Sequence, residues 1–199
     1  KAKKIGKPFM IRVRFAHGGP DAGWAKSNWF FNPAVAAGGV MLDLGIRAID
    51  LCLWLFGPAK AVYAKAATLV RNIPVDDNAV LVMEFQNGGM GYIEVGWTSK
   101  PGFKGIEIYG TDGSLICDFD RGLTLCTGKQ SAGADSVVEW EMLDTKPTSG
   151  GWDIEIDHWM NVVRGKEKLS MDGQAGRDAM ALALAAYKSS EKGKRIEIK

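Results

Sequence analysis

The chain has 199 residues, which is long enough for one sizeable hydrophobic core or two small ones. A net charge of +2 gives no basic surface of the kind that nucleic acid requires, and no apolar run approaches the ~20 residues that span a bilayer, so neither partner is expected. The cysteines Cys52, Cys117 and Cys126 are odd in number and lie in apolar or strand-like runs, which favours reduced thiols in a cytoplasmic protein, and the two histidines predict no metal site.

The first element in chain order is a strand. Pro8–Ala16 alternates between apolar and basic side chains, and His17-Gly18-Gly19-Pro20 ends it. The next segment has neither a helical nor a strand period, so we expect an ordered loop that covers the core edge or walls a pocket. Its aromatic residues are Trp24, Trp29, Phe30 and Phe31.

A helix follows this loop. Gly38-Gly39 lets the backbone turn or approach another group closely, and Gly57-Pro58 stops an apolar run of residues 40–56. Because this run is apolar on nearly every face, it predicts a helix that is buried almost all round. The charged exceptions are spaced i, i+4, i+7, which predicts that they share one side of the helix; they are Asp43, Arg47 and Asp50.

Two interpretations of these three charges stand. In the first they form a structural ladder, in which Arg47 pairs with both Asp43 and Asp50 because unpaired buried charges are costly. In the second, Asp43 is the floor of an active site, a carboxylate near a helix N-terminus that faces a substrate.

After Gly57-Pro58 the sequence changes to short strand-like segments separated by tight turns. Strands joined by short turns indicate an antiparallel meander, and the order helix, strands, two helices, strand predicts an α+β fold. We expect a mostly antiparallel open sheet with helices packed on one face, and a partner chain on the other face over Phe85, Tyr92, Trp97 and Trp140. The predicted strands are 61–70, 78–85, 92–98, 104–109, 114–119, 123–126, 137–143 and 195–198, the predicted helices are 152–164 and 174–188, and residues 128–134 form an exposed loop.

The glycine–aspartate stretch resembles the Gly-Gly-Gly-x-x-x-Asp-x-Gly-x-His-x-x-Asp signature of the glucose–fructose oxidoreductase / inositol dehydrogenase (Gfo/Idh/MocA) family. Val40 stands in place of the third glycine, and Arg47 in place of the catalytic histidine. Residues 111–115, 152–164 and 176–188 are also similar to the family's hairpin and closing helices. The matching signature residues are Gly38, Gly39, Asp43, Gly45 and Asp50.

The resemblance covers only the C-terminal half of a family member. It implies that residues 1–199 form a single C-terminal domain for substrate binding and oligomerisation, with the N-terminal dinucleotide-binding domain absent. The sequence agrees, since no Gly-x-Gly-x-x-Gly follows a strand. The implied activity is NAD- or NADP-dependent oxidation or reduction of a sugar, polyol or related hydroxyl compound. The implied assembly is a homodimer or homotetramer through the sheet face.

The resemblance also implies residue roles. Asp43 would orient the substrate hydroxyl or carry charge. Arg47 cannot act as an acid or base, because guanidinium stays protonated, but it can anchor a carboxylate or phosphate or pair with Asp43. His158 and His17 are candidates to replace the lost histidine, with His158 expected to line the substrate site together with Trp29. Because the histidine is lost, a non-catalytic relative that serves as a ligand-binding or structural domain is the alternative function.

Overall fold

The computed structural model describes residues 4–21, 25–127, 139–145 and 151–198. The strands are β1 (Pro8–Ala16), β2 (Ala59–Ala67), β3 (Asn78–Phe85), β4 (Met90–Gly96), β5 (Phe103–Gly110), β6 (Gly113–Asp118), β7 (Gly122–Thr127), β8 (Glu141–Asp144) and β9 (Ile196–Glu197). The helices are a 3₁₀ turn (Trp29–Phe31), α1 (Pro33–Ala36), a π-helical turn (Met41–Gly45) that runs into α2 (Ile46–Phe56), α3 (Trp152–Val163) and α4 (Gly173–Lys192).

Within these residues the nine strands form one open sheet in the order β8-β7-β6-β5-β1-β4-β3-β2-β9. The predicted α+β class and the mostly antiparallel sheet are confirmed. The expected meander is only partly right, because β1 pairs parallel to β4 on one side and antiparallel to β5 on the other. The parallel pairing is possible because the crossover between β1 and β4 contains α2, and such pairs require a long connection.

The core lies between the inner face of the sheet and the helices α2 and α4. In β1 the apolar residues Ile11, Val13 and Phe15 point into this core, while Arg12 and Arg14 alternate to the outer face. The helices contribute buried residues such as Ile49, Cys52, Leu182, Ala183 and Ala186. Burial raises the pKa of the Cys52 thiol to about 12, so this cysteine is an inert apolar filler.

Two of the aromatic residues expected on the outer face belong to the core. Phe85 is 2% exposed and Trp97 is 1% exposed. Phe85 ends a strand whose alternate residues Leu81 and Met83 also point inward, so its side was fixed by the period. The exposed apolar residues on the outer side of β2 and β3 are instead Tyr63, Val80 and Val82.

The helix predicted over residues 40–56 corresponds to the π-helical turn followed by α2, and we call it the organising helix. It is less buried than its composition predicts. Trp54 is 67% exposed and Leu55 is exposed as well, so α2 presents one side to its surroundings. The prediction was wrong because a run of apolar residues does not show which of them the neighbouring helix will cover.

Some predicted features lie outside the described residues, namely Trp24, the loop 128–134 and the start of the strand 137–143. Among the helices that the structure describes, none is both long enough and apolar enough to cross a bilayer.

Candidate active site

The glycine pair is held by a carboxylate from another part of the chain. Asp76 is nearly buried, and its side-chain oxygens accept hydrogen bonds from the backbone N–H groups of Gly39 (2.9 Å) and Met41 (2.8 Å). The Tyr187 hydroxyl donates to the same carboxylate at 2.7 Å, which ties α4 to this turn. A carboxylate on the free N–H groups of a helix start satisfies them as an N-cap does. Burial and the neighbouring Asp76 raise the pKa of Tyr187.

Glycine is required at position 39 by close packing. A Cβ on Gly39 would stand 2.0 Å from the carbonyl oxygen of Asp76, which itself accepts from the Val40 N–H at 2.9 Å. The first of the two glycines thus sits beside the Tyr187 hydroxyl, and the second allows the backbone contact.

The charges of the organising helix divide between two sides. The π-helical turn Met41–Gly45 carries Asp43 and shifts the residues that follow it relative to an ideal helix. Asp43 faces Trp97, whereas Asp50 lines a cavity of about 460 Å³ between α2, α4 and the loop before α4. The predicted Arg47–Asp50 half of the ladder is therefore wrong. Burial raises the pKa of Asp50.

Asp43 is fixed by a buried tryptophan. The indole Nε1–H of Trp97 donates to Oδ2 of Asp43 at 3.0 Å, and the Asp43 side chain is 13% exposed. Trp97 follows β4, and its backbone N–H donates to the carbonyl of Asp77 at 2.8 Å. The carboxylate therefore points from the helix toward the end of β4 in one orientation.

Arg47 lies on the solvent side of the same carboxylate. Its Nη2 stands 3.5 Å from Oδ1 of Asp43, and its side chain is 65% exposed. A pair this long and this exposed contributes little to stability. The guanidinium fork is consequently accessible to a ligand beside Asp43.

The predicted aromatic loop packs against the same tryptophan. Phe30 and Phe31 meet Trp97 edge-on, with ring centroids 6.4 Å and 6.0 Å away. Trp29 stacks on Phe30 at 3.9 Å and remains 48% exposed. Trp29 is thus an exposed aromatic platform connected to Asp43 through two ring contacts.

His17 is the histidine that the fold brings to this site. It ends β1, its electrostatic neighbours are Asp43, Lys104, Arg47 and Arg71, and partial burial together with the three cations lowers its pKa against the opposing effect of Asp43. The Gly19 N–H donates to its Nδ1 at 2.9 Å, which places the hydrogen of the neutral ring on Nε2. The ring is therefore mostly neutral near neutral pH.

Arg71 holds the segment after His17 in place. Its guanidinium donates to the carbonyl of Trp97 at 3.1 Å and to the carbonyl of Gly18, and it pairs with Asp21 at 2.6 Å. The Arg71 hydrogen bond lowers the pKa of Asp21. One side chain thus joins the loop after β1 to the residue that fixes Asp43.

His158 belongs to a different network. Its Nδ1 lies 2.6 Å from Oε2 of Glu167, and its Nε2 lies 3.0 Å from the hydroxyl of Ser170. Asn161 donates to the other oxygen of Glu167 at 2.9 Å, and the hydrogen bonds from His158 and Asn161 lower the pKa of this carboxyl. These contacts fasten α3 to the loop before α4 and share no residue with the contacts of Asp43.

The fold therefore brings together Asp43, Arg47 and Trp29 and adds Trp97 and His17 to them. The sequence predicts Trp97 on the outer face, and it favours His158 over His17 as the histidine that lines the site. Neither residue is near Asp43 in the sequence, and the pairing of β1 with β4 places both strand ends together. Both residues follow directly after a strand, where functional residues often lie, and Trp97 also continues the inward alternation of Ile93 and Val95.

A family model described as the GFO/IDH/MocA C-terminal domain matches residues 1–116. The match spans more than half of the chain, so the chain belongs to this family. The expected family resemblance is confirmed.

Individual relatives are distant but match along nearly the whole chain. This chain is 24% identical over 200 residues to the myo-inositol 2-dehydrogenase of Thermotoga maritima, and the match covers 98% of this chain and 57% of that protein. It is 26% identical over 199 residues to the 1,5-anhydro-D-fructose reductase of Ensifer adhaerens, covering 98% and 57%.

Solved structures share the fold. GenD2 from gentamicin A biosynthesis, in complex with NAD, superimposes with a TM-score of 0.79 at 25% identity, over 99% of this chain and 57% of that one. The WlbA dehydrogenase from Bordetella pertussis, in complex with NADH and UDP-GlcNAcA, gives 0.74 at 26% identity, over 98% and 56%. The chain thus spans somewhat more than half the length of these relatives.

The nicotinamide cofactor of such relatives does not fit a site made by this chain alone. The sequence has no Gly-x-Gly-x-x-Gly between a strand and a helix, and Gly88-Gly89-Met90-Gly91 lies at the turn between β3 and β4. A hairpin does not offer the helix N-terminus that cradles a pyrophosphate.

Proposed function

We propose that this chain is the substrate-binding half of an NAD- or NADP-dependent oxidoreductase that acts on a sugar, polyol or related hydroxyl compound. The observation that carries the proposal is the Asp43 carboxylate, oriented by Trp97 and flanked by His17 and Arg47. Family membership supports the reaction class, because relatives of this chain are named as polyol and sugar oxidoreductases. The dinucleotide-binding half of the same polypeptide would hold the cofactor, which supplies hydride transfer.

In this proposal each residue has a distinct task. Asp43 accepts a hydrogen bond from the substrate hydroxyl and orients it. His17 carries the proton that the hydroxyl loses on oxidation or gains on reduction, because it is the neighbouring imidazole and burial lowers its pKa, which leaves the ring neutral and able to accept a proton. Trp29 offers an apolar ring face to the sugar.

Arg47 determines the substrate class. It remains charged and cannot relay a proton, but its exposed fork suits a carboxylate or phosphate group beside the reacting hydroxyl. The proposed substrate is therefore an acidic or phosphorylated sugar rather than a neutral polyol.

The test is an activity assay on the full polypeptide that carries this chain. NAD and NADP reduction would be measured with matched pairs of compounds, such as an aldose with its uronic acid and with its phosphate. We expect turnover with an acid-bearing member of a pair and its loss in Asp43→Asn with the thermal unfolding temperature retained. Calorimetric titration of residues 1–199 alone with NAD and NADP is expected to give no binding heat; micromolar binding would refute the division of labour.

Arg47 also supports a second candidate. Since the family's histidine position holds an arginine, the chain would be a ligand-binding or structural relative without catalysis. This candidate predicts that acid-bearing sugars bind to the full polypeptide while NAD and NADP are not reduced with any of them.

The outer face of the sheet is the proposed surface for homodimer or homotetramer formation. Tyr63, Val80 and Val82 are exposed apolar residues on adjacent strands. Beside them Arg14 pairs with Glu94 at 2.9 Å and Arg12 pairs with Glu107 at 3.5 Å. Sedimentation equilibrium should show an oligomer at micromolar concentration that Val82→Glu dissociates.

A further inference from the structure

Helix α3 is turned with its apolar side away from its own domain. At about 100° per residue, positions i, i+4, i+7 and i+11 form one narrow stripe. In α3 this stripe consists of Trp152, Ile156, Trp159 and Val163. Their side chains are exposed by 73%, 58%, 57% and 63%, in that order, and none of the residues of α3 is buried.

The hydrogen bonds that fasten α3 to the rest of the described chain come from polar side chains. His158 and Asn161 lie on the far side of the helix from the stripe, and both are bonded to Glu167. A surface helix normally buries its apolar stripe and exposes its polar side. In α3 the stripe is exposed, so the described residues of the chain do not cover it.

Two tryptophans and two aliphatic residues on three turns of helix are more than scattered surface apolar residues. Asp153 and Glu155 flank the stripe, and no ion pair to either is found among the described residues. The surface therefore has an apolar centre and an acidic rim, which complements a partner surface with an apolar centre and basic rim.

The position of α3 indicates which partner this is. Its His158 binds Ser170, and Ser170 lines the same cavity as Asp50 and Trp54 of α2, so α3 belongs to the helical layer on the inner side of the sheet. Asp43 and Arg47 lie at the beginning of the organising helix in this layer. A cofactor that reacts beside Asp43 must approach from this side, whereas the outer sheet face is on the opposite side.

We infer that the α3 stripe is the docking surface for the dinucleotide-binding half of the same polypeptide. This inference rests on the proposed function. The relatives supply the size of the occupant, because nearly all of this chain matches only 57% of the length of each. A covalently joined domain also reaches the stripe at high effective concentration, which favours it over a second copy.

The test places a photo-cross-linking residue, p-benzoylphenylalanine, at position 159 of the full polypeptide. The matched control carries it at position 154, since Ile154 is 76% exposed on the same helix but lies off the stripe. We expect cross-links from position 159 into the dinucleotide-binding half of the same polypeptide, at a yield at least about tenfold above the control. Cross-links between two copies, or only within residues 1–199, would overturn the inference.

A second measurement uses Trp159→Glu and Ile154→Glu. Loss of a central aromatic anchor weakens an interface by about 30-fold or more, so Trp159→Glu should lower kcat/KM for the sugar by at least about tenfold and leave NAD affinity unchanged. Ile154→Glu should change neither, and equal effects of the two variants would count against the docking surface. Cross-links into the dinucleotide-binding half without any dehydrogenase activity would support the interface and refute the proposed function; activity with cross-links elsewhere would refute the interface alone.

Discussion

The indole nitrogen of Trp97 and Oδ2 of Asp43 are 3.0 Å apart, and this hydrogen bond joins the end of β4 to the π-helical turn. Trp97→Phe keeps most of the buried ring but removes the donor. A hydrogen bond to a carboxylate contributes about 1.5–3 kcal/mol, so the free energy of unfolding should fall by about that amount, and kcat/KM should fall by about tenfold or more because the Asp43 carboxylate is no longer held in one orientation. Unchanged kcat/KM would show that the indole only fills space.

Arg47 tests the difference between a substrate anchor and a structural ion pair. Because its pair with Asp43 is 3.5 Å long and its side chain is 65% exposed, Arg47→Ala should cost less than about 1 kcal/mol of stability. Arg47→Lys retains the charge without the planar fork, so affinity for an acid-bearing sugar should fall in both variants. Thermal unfolding and substrate titration of both variants check this. Strong destabilisation with unaltered affinity would show that the Arg47–Asp43 pair is structural.

The glycine turn predicts a large effect from one methyl group. In Gly39→Ala the new Cβ would stand 2.0 Å from the Asp76 carbonyl oxygen, so the backbone must move and the Asp76 hydrogen bonds must break. We expect a loss of more than about 3 kcal/mol in the free energy of unfolding. Gly176→Ala is the matched control, because nothing lies within 4 Å of that position in α4 and alanine should stabilise the helix by up to about 1 kcal/mol.

His17 should determine how stability and kcat/KM decline on the acid side of neutral pH. Burial lowers its pKa, so the folded chain binds this proton more weakly than the unfolded chain does. The contribution of His17 to the free energy of unfolding is therefore fully present above the ordinary histidine pKa of about 6.5. It is lost as the pH falls through the lower pKa of the folded state. kcat/KM should decline over the same range, His17→Gln should remove both effects, and His158→Gln should retain them.

Asp50 should behave in the opposite sense. Burial raises its pKa above the unfolded value, so its contribution to stability decreases as the pH rises from about 3.9 through the folded value. Asp50→Asn should raise the melting temperature at pH 7, by an amount worth less than about 1 kcal/mol because the carboxyl is partly exposed. At a pH below about 3.9 the two proteins should melt together.

The sequence predicts elements better than it predicts partners. Alternation in Pro8–Ala16 correctly identified a strand, but no local pattern shows that this strand pairs with β4 and β5. The helical period placed Asp50 beside Asp43, and the π-helical turn between them invalidates that period. Trp97 continues the inward alternation of Ile93 and Val95, so the period of β4 predicts the core face for it rather than the expected outer face.

The pairing of β1 also has a consequence for biosynthesis. β1 is synthesised before the other eight described strands, yet its neighbours on both sides begin at Met90 and Phe103. Both edges of an apolar strand remain without hydrogen-bond partners until β4 and β5 have been made, and such edges are prone to aggregation. The alternating Arg12 and Arg14 give the unpaired strand one charged face, which disfavours edge-to-edge association.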